Sequence, residues 1–431
     1  MKKIFLYIVL FLPLWGAAQT TVTLKSAIDT TLNNSFDIQI AGNNLEISKI
    51  NNTFGVAGGL PSVNASVSDN QSIINVNQKL NSGVEIKKPS ATGNAMNSSV
   101  NVGMVLFNGL KIRATKERLD HIQLQSELLL NIQIQNSIAT VMAKYYDIVR
   151  QQEYLKIIQS SLDVSQQKLD IVTERKNVGM ANDADYLQAL IDVNTAQQNL
   201  KNQELAVEQT KTDLLQIMSQ KQFYPFSVND SIVVDRTLEL DAITSYLSKN
   251  PQYLSAEQQI MIYEQVVKEV SALRYPTLRL NTGYSANRTQ NSAGLTLLNQ
   301  SYGPSAGLTM QIPIYNGNAY KVQKETAEFN VDNAKLQQES LLNTMTSTAV
   351  KTYQSYSTTL HQLDAQKNTI ELSRKLIKVV LQRFQVNQAT ILEVKAAQAS
   401  YENTGYQLIN LNYAAKIAEI ELKRLTYQLG N

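Results

Sequence analysis

The chain is written twice, and this duplication constrains its fold more than any other feature. Ala27-Ile28, Leu32, Ala41 and Pro61 recur as Ala242-Ile243, Leu247, Ala256 and Pro276, every pair separated by 215 positions. Phe107-Asn108-Gly109, Tyr145, Arg175 and Val178 recur as Tyr315-Asn316-Gly317, Tyr353, Arg383 and Val386, at a separation of 208. The drop places seven extra residues of the first copy between Pro61 and Phe107, a length change of the kind surface loops tolerate. Two copies are too few for a solenoid, so the halves are expected to pair within one domain or one ring.

Each copy reads helix, two strands, long helix, return helix. Val63, Ala65 and Val67 alternate with Asn64, Ser66 and Ser68; Val100, Val102, Met104 and Leu106 alternate with Ser99, Asn101 and Gly103. In the second copy Leu278, Leu280, Thr282 and Tyr284 alternate with Arg279, Asn281, Gly283 and Ser285, and Leu308, Met310 and Ile312 with Gly307, Thr309 and Gln311. Period two with one apolar and one polar face suits a strand between lipid and a wet lumen, and equally a half-buried strand of a soluble sheet. The intervening segments, 69–95 and 287–301, are rich in Asn, Ser, Gln and Gly and read as loops. Pro61 and Pro276 mark the passage from helix to strand.

From Leu110 to Lys176 there is neither proline nor glycine, which predicts a rod of about 100 Å at 1.5 Å per residue; 318–385 is its counterpart. Leu155, Ile158, Leu162, Ser165, Leu169 and Val172 form a heptad stripe matched by Leu363, Gln366, Ile370, Ser373, Ile377 and Val380. Similar stripes run from Tyr186 to Ile217 and from Val394 to Leu425, placing coiled-coil seams on the return helices. The helix before each strand pair, about 35 residues, and the return helix, about 37, together match one rod, which suggests two shorter helices stacked beside a long one.

Lys2 and Lys3, the apolar stretch from Ile4 to Trp15, and small Gly16, Ala17 and Ala18 read as a signal peptide over 1–18. Its apolar core is too short for a membrane-spanning helix. The chain has no cysteine, which excludes disulfides, thiolate metal sites, cysteine nucleophiles and a lipidated cysteine. Any membrane attachment must therefore come from the fold. Without Lys2 and Lys3, 37 basic residues face 36 acidic ones, mixed in sign without a basic block, which speaks against nucleic acid. After Ala18 no apolar run approaches the ~18 residues of a transmembrane helix, leaving a closed β-barrel as the way to span a bilayer. Four strands cannot close a barrel, which needs about eight or more, so the chain must oligomerise.

An enzyme is disfavoured. His121 and His361 sit alone on helices without a carboxylate pair at metal spacing, and Gly55, Gly58 and Gly59 precede a strand where a phosphate cradle would precede a helix. No catalytic residue, metal or cofactor is expected. A periplasmic coiled-coil structural or adaptor protein without a pore is the remaining alternative; it explains the rods but not the strand pairs.

The paired openings LKSAIDTTLNNSFDIQIA (24–41) and LELDAITSYLSKNPQYLSA (238–256), the FNG and YNG strand exits, and the turns VGMANDADYLQA (178–189) and VNQATILEVKAA (386–397) resemble the TolC family of outer-membrane efflux proteins. The resemblance covers essentially the whole chain after residue 18. It implies a mainly α fold with a membrane β-barrel: a homotrimer whose 12-stranded barrel, four strands per chain, is continued by a long α-helical barrel with coiled-coil tips. On that basis 19–220 and 238–431 are the two structural repeats and 221–237 an equatorial linker. The location implied is the outer membrane, in contact with its lipid, with a large periplasmic portion. The activity implied is a duct for efflux of small molecules or type I protein secretion, and the partners a periplasmic adaptor and an inner-membrane transporter.

At the tip, Glu393 and, as the weaker candidate, Asp185 match positions where the family places lumen or gate acids. Two departures stand out. Asn387 replaces the Gly179 of the first turn, which allows a differently shaped second hairpin, although Asn is the non-glycine residue that best tolerates φ > 0. The next aligned acid site holds Ala396 and the aligned gate arginine is Ala389, so a gate network of that kind lacks two of its members.

Overall fold

A computed structural model describes residues 20–429, so the signal peptide expected at 1–18 lies outside the described residues. In chain order the elements are β1 (Thr20–Thr21), α1 (Leu24–Asn34), α2 (Phe36–Asn51), β2 (Ser62–Lys79), β3 (Glu85–Phe107), α3 (Lys111–Asn177) and α4 (Asp183–Ile217). There follow β4 (Phe226–Ser227), α5 (Leu240–Tyr246), α6 (Pro251–Ala272), β5 (Thr277–Asn291), β6 (Leu298–Gln311), α7 (Ala319–Gln385) and α8 (Ile391–Leu425). Contacts divide the chain into two compact units, one reaching to Ile40 and comprising Ile132–Asn250 and the residues from Thr344 onward, the other Ala41–Asn131 and Pro251–Asn343.

The longest elements are helices: α3 and α7 each run 67 residues without glycine or proline, and α4 and α8 each run 35. Ahead of each strand pair the expected single helix is broken, at Ser35 (ψ 124°) and at Asn250 (ψ 135°), positions 215 apart. Pro251 pushes Asn250 out of the α region. Phe36 occupies the equivalent place in the first copy, and nothing local explains that break. Val22, Ala27, Tyr145, Ile148, Leu214, Met218, Phe226 and Val228 form one buried cluster, which ties β1, α1, α3, α4 and β4 together. Segment 221–237 is strapped to this unit. β4 pairs parallel with β1, Tyr145 Oη donates to Asp230, buried Lys416 donates to Val233 O at 2.9 Å, and Asp235 N donates to Glu419 Oε2 at 2.9 Å.

The strand unit contains a four-stranded antiparallel sheet in the order β2-β3-β5-β6, with β2 and β6 as edges. Its register puts Val63, Val102, Thr282 and Ala306 in one row, and Met104, Leu280 and Leu308 in the next but one. Ser62, Gly103, Asn281 and Gly307 fill the row between, on the other face. One face is therefore apolar, yet it is uncovered: Val67 is 71% exposed, Leu308 66% and Tyr302 78%. On β5 the apolar series from Leu278 to Ala286 is ended by Arg288, a length of nine residues that matches a tilted transmembrane strand of about 9–11.

Segments 69–95 and 287–301 are loops only at 80–84 and 292–297; the rest is strand. β2 and β3 stay paired from Ser62↔Gly103 to Lys79↔Glu85, and β5 and β6 from Thr277↔Gln311 to Gln290↔Leu298. With Asn, Ser and Gln on both faces the alternation vanishes, while the backbone ladder, which side-chain polarity does not interrupt, continues. The seven extra residues of the first copy lengthen this ladder and not a surface loop: β2 and β3 have 18 and 23 residues against 15 and 14 for β5 and β6.

Candidate functional site

The two turns of the helical unit hold the residues singled out at the tip. α3 ends at Asn177, Gly179 takes φ +76°, and Met180 N donates to Arg175 O at 2.7 Å while Gly179 N donates to Lys176 O at 3.0 Å. α7 ends at Gln385, Asn387 takes φ +61°, Gln388 N donates to Arg383 O at 2.8 Å and Asn387 N to Phe384 O at 3.1 Å. Both are the same left-handed helix stop with paired 6→1 and 5→2 bonds. The Asn387 substitution therefore does not reshape the second turn, because Asn reaches the left-handed conformation that Gly179 supplies.

Each return helix is then started by a cap. Asn182 Oδ1 accepts from Asp185 N at 2.7 Å at the head of α4. At the head of α8 the cap is reciprocal: Glu393 N donates to Thr390 Oγ1 at 3.2 Å and Thr390 N donates to Glu393 Oε2 at 2.7 Å. Asp185 and Glu393 thus occupy the same third position of their helices, 208 residues apart. Asp185 is half-buried and Glu393 exposed, with its carboxylate engaged in the capping box. Ala389 packs into an apolar cluster of Val172, Ala189, Phe384 and Val394, which explains why no charge is held there. Arg175 donates to Phe384 O and lies 4.5 Å over the Phe384 ring, fastening the end of α3 to the end of α7.

Higher up the same hairpins lies a polar network that sequence reasoning missed. Lys168, fully buried on α3, reaches Asp192 of α4 at 2.5 Å. The other oxygen of Asp192 takes Lys395 of α8 at 3.1 Å and Gln188 at 2.8 Å. Burial by itself pushes the Asp192 carboxyl up, but Lys168, Lys395 and Gln188 outweigh it and hold the group below the ordinary carboxylate range. Gln398 donates to Ser161 O at 3.2 Å and to Ser165 Oγ at 3.0 Å, and Ser161 donates to Glu402, around a cavity of about 300 Å³. The signal that could have found it is a break in the repeat: the counterparts of Lys168, Asp192 and Lys395 are Leu376, Ser400 and Leu187. Among the described residues no cluster of His, Cys, Asp and Glu is arranged to hold a metal, and no helix is long and apolar enough to cross a membrane. His121 is bonded to Gln258 at 2.9 Å in the strand unit.

The model of the outer membrane efflux protein family matches residues 27–220 and again 242–426. The chain belongs to the outer membrane efflux protein family. Two successive matches are what the duplication requires. Among curated relatives, the outer membrane protein TolC of Escherichia coli (strain K12) is 24% identical over 351 residues, covering 77% of this chain and 69% of that protein. Among solved structures, the outer membrane protein VceC of Vibrio cholerae superposes with a TM-score of 0.73 at 16% identity, covering 94% of this chain and 95% of VceC. The Campylobacter jejuni CmeC outer membrane channel gives 0.76 at 15% identity over 94% of this chain and 86% of its own. The fold is that of the TolC-like channels, in which three copies close a β-barrel continued by an α-barrel. As a family member the chain is an outer-membrane efflux duct with a large periplasmic portion, and the family is one of transport channels.

Proposed function

We propose that this chain works as a homotrimeric duct fed by an inner-membrane transporter through a periplasmic adaptor, exporting small molecules or type I secreted polypeptides. The repeats are 19–220 and 238–431, with 221–237 as an equatorial linker between them. The observation that carries the reading is the sheet: four strands with one uncovered apolar face and two unpaired edges can neither close a barrel nor remain in water alone. A periplasmic coiled-coil protein without a pore has no use for it. Extraction from the outer-membrane fraction as a heat-sensitive trimer on gels, with an inner-membrane transporter co-purifying after crosslinking, is the expected result. A monomer in the soluble periplasmic fraction overturns it.

Within this reading the hairpin turns form the narrowest point, lined by Glu393 and more weakly by Asp185, since three-fold symmetry makes each carboxylate a ring of three that favours cations. Single-channel recording with a trivalent cation on the periplasmic side tests it. Glu393→Gln keeps a capping box, because Gln serves at that position, and removes only the charge. Loss of block and of cation selectivity is expected; an unchanged channel leaves Glu393 with its capping role alone.

A further inference from the structure

Where the sheet of the strand unit passes into helices, the start of α3 and the end of α6 enclose a cleft of about 590 Å³. Phe107, the last residue of β3, lines it; Phe107 pairs with Leu278 and Leu278 with Met310, so Phe107 belongs to the apolar face of the sheet. Leu110 and Val267 carry that apolar surface off the sheet, and the exposed side chains of Tyr275, Arg113 and Lys268 complete the lining. We propose that this cleft holds one phospholipid of net negative charge from the leaflet facing the periplasm, with its phosphate on Arg113 and Lys268 and an acyl chain over Phe107, Leu110 and Val267, an inference that rests on the apolar face being the membrane wall.

Three observations point to that occupant. The first is position: the cleft lies at the end of the sheet that continues into helices, where the hydrocarbon of the membrane gives way to headgroups and a tyrosine such as Tyr275 suits both. The second is charge. Arg113 Nε donates to Glu117 Oε1 at 3.1 Å and Lys268 Nζ lies 3.7 Å from Glu117 Oε2, so two cations share one carboxylate and one positive charge is left for a phosphodiester. The third is Leu110. It takes φ +68°, a left-handed conformation that a bulky residue enters at a cost, and its side chain is 64% exposed. Hydrocarbon over Leu110 removes the penalty of leaving that side chain in water.

The repeat separates this site from what the fold itself requires. Arg113 and Glu117 recur as Lys321 and Glu325, but the counterparts of Leu110, Lys268 and Tyr275 are Asn318, Thr53 and Leu60. Asn318 holds the same backbone at φ +63° with a polar side chain that tolerates it. A demand of the backbone would act on both copies, whereas the leucine, the second cation and the tyrosine come together in one. A free phosphate ion would use the cations and leave the apolar half of the cleft without a role.

Trp15 is the only tryptophan of the chain and lies in the expected signal peptide, so an introduced tryptophan reports on its own surroundings above the background of the parent. Full-length Tyr275→Trp and Leu308→Trp proteins are reconstituted into phosphatidylcholine vesicles with rising fractions of brominated phosphatidylglycerol, which quenches tryptophan on contact. Leu308→Trp should follow the bulk lipid composition, and Tyr275→Trp should be half quenched at a phosphatidylglycerol fraction about tenfold lower. Adding Arg113→Gln and Lys268→Thr should return Tyr275→Trp to the bulk curve, while adding Lys321→Gln, or inorganic phosphate, should leave it in place. Phe107→Trp gives the same reading should Tyr275→Trp fail to assemble. Superimposed curves for the cleft and for Leu308→Trp, no effect of the paired substitutions, an equal effect of Lys321→Gln, or displacement by phosphate overturns the lipid site. No quenching at Leu308→Trp overturns the membrane-wall reading, and the site with it.

Discussion

The α3–α4 and α7–α8 hairpins close with the same backbone and are held with different chemistry. Each rod ends in a left-handed residue, Gly179 or Asn387, and each return helix begins with a side-chain cap, Asn182 or Thr390. Away from the turns, the first hairpin buries Lys168 against Asp192, and Asp192 also takes Lys395 of α8, while the equivalent places hold Leu376, Ser400 and Leu187. Leu187 is 54% exposed and Leu376 48%. Duplication preserved what the backbone needs to turn, and divergence fell on side chains that face different neighbours.

The largest expected effect separates the hairpins by charge. Lys168→Met strips a buried carboxylate of its main partner and is expected to destabilise the helical unit by about 3 kcal/mol in thermal or denaturant unfolding. Leu376→Ala, at the matching position, should change it by less than about 1 kcal/mol. Equal losses from the two substitutions break the comparison. The pH dependence sharpens it. The folded Asp192 carboxyl sits below its unfolded range, so its contribution is present at neutral pH and above its unfolded value. It is lost as pH falls through the lowered folded value. Lys168→Met should therefore flatten the acid limb of the stability profile, and Leu376→Ala should not.

A smaller effect tests the shared backbone. Gly179→Ala forces a Cβ into the left-handed region and should cost roughly 1–2 kcal/mol, whereas Asn387→Gly should stay within about 0.5 kcal/mol of the parent. A large loss from Asn387→Gly shows that the Asn387 side chain does something the turn alone does not require. The caps come last: Thr390→Ala should cost about 1 kcal/mol, and Asn182→Ala less, since only the first breaks a reciprocal capping box. Thermal unfolding of the two variants side by side checks the order.

The long helices were legible because two stretches free of glycine and proline announce them, and their ends fall within a residue or so of the expected limits. The strands were legible only where one face is apolar. Beyond Asp69 on β2 and before Ala95 on β3 polar residues fall on both faces and apolar ones such as Ile73 and Ile74 no longer alternate, so periodicity falls silent while the ladder persists. The break at Asn250 was written in Pro251, but the one at Ser35 has no such mark. At the hairpin ends, the repeat made legible where Asp185 and Glu393 sit, in the first turns of α4 and α8. Lys168, Asp192 and Lys395 stayed hidden because three helices bring together residues 24 and 203 positions apart, and only their mismatch with the other copy betrays them.

The central claim is that the apolar face of the β2-β3-β5-β6 sheet is the membrane wall of a duct. The most direct measurement is the yield of assembled protein in the outer membrane when arginine is placed on either face. Val102→Arg and Leu280→Arg lie in apolar rows of the register, and Asn101→Arg and Asn281→Arg in polar ones. The account predicts that the first two collapse assembly and the second two leave it near the parent level, because a charge facing hydrocarbon is far more costly than one facing a wet lumen. Equal yields from all four variants contradict it.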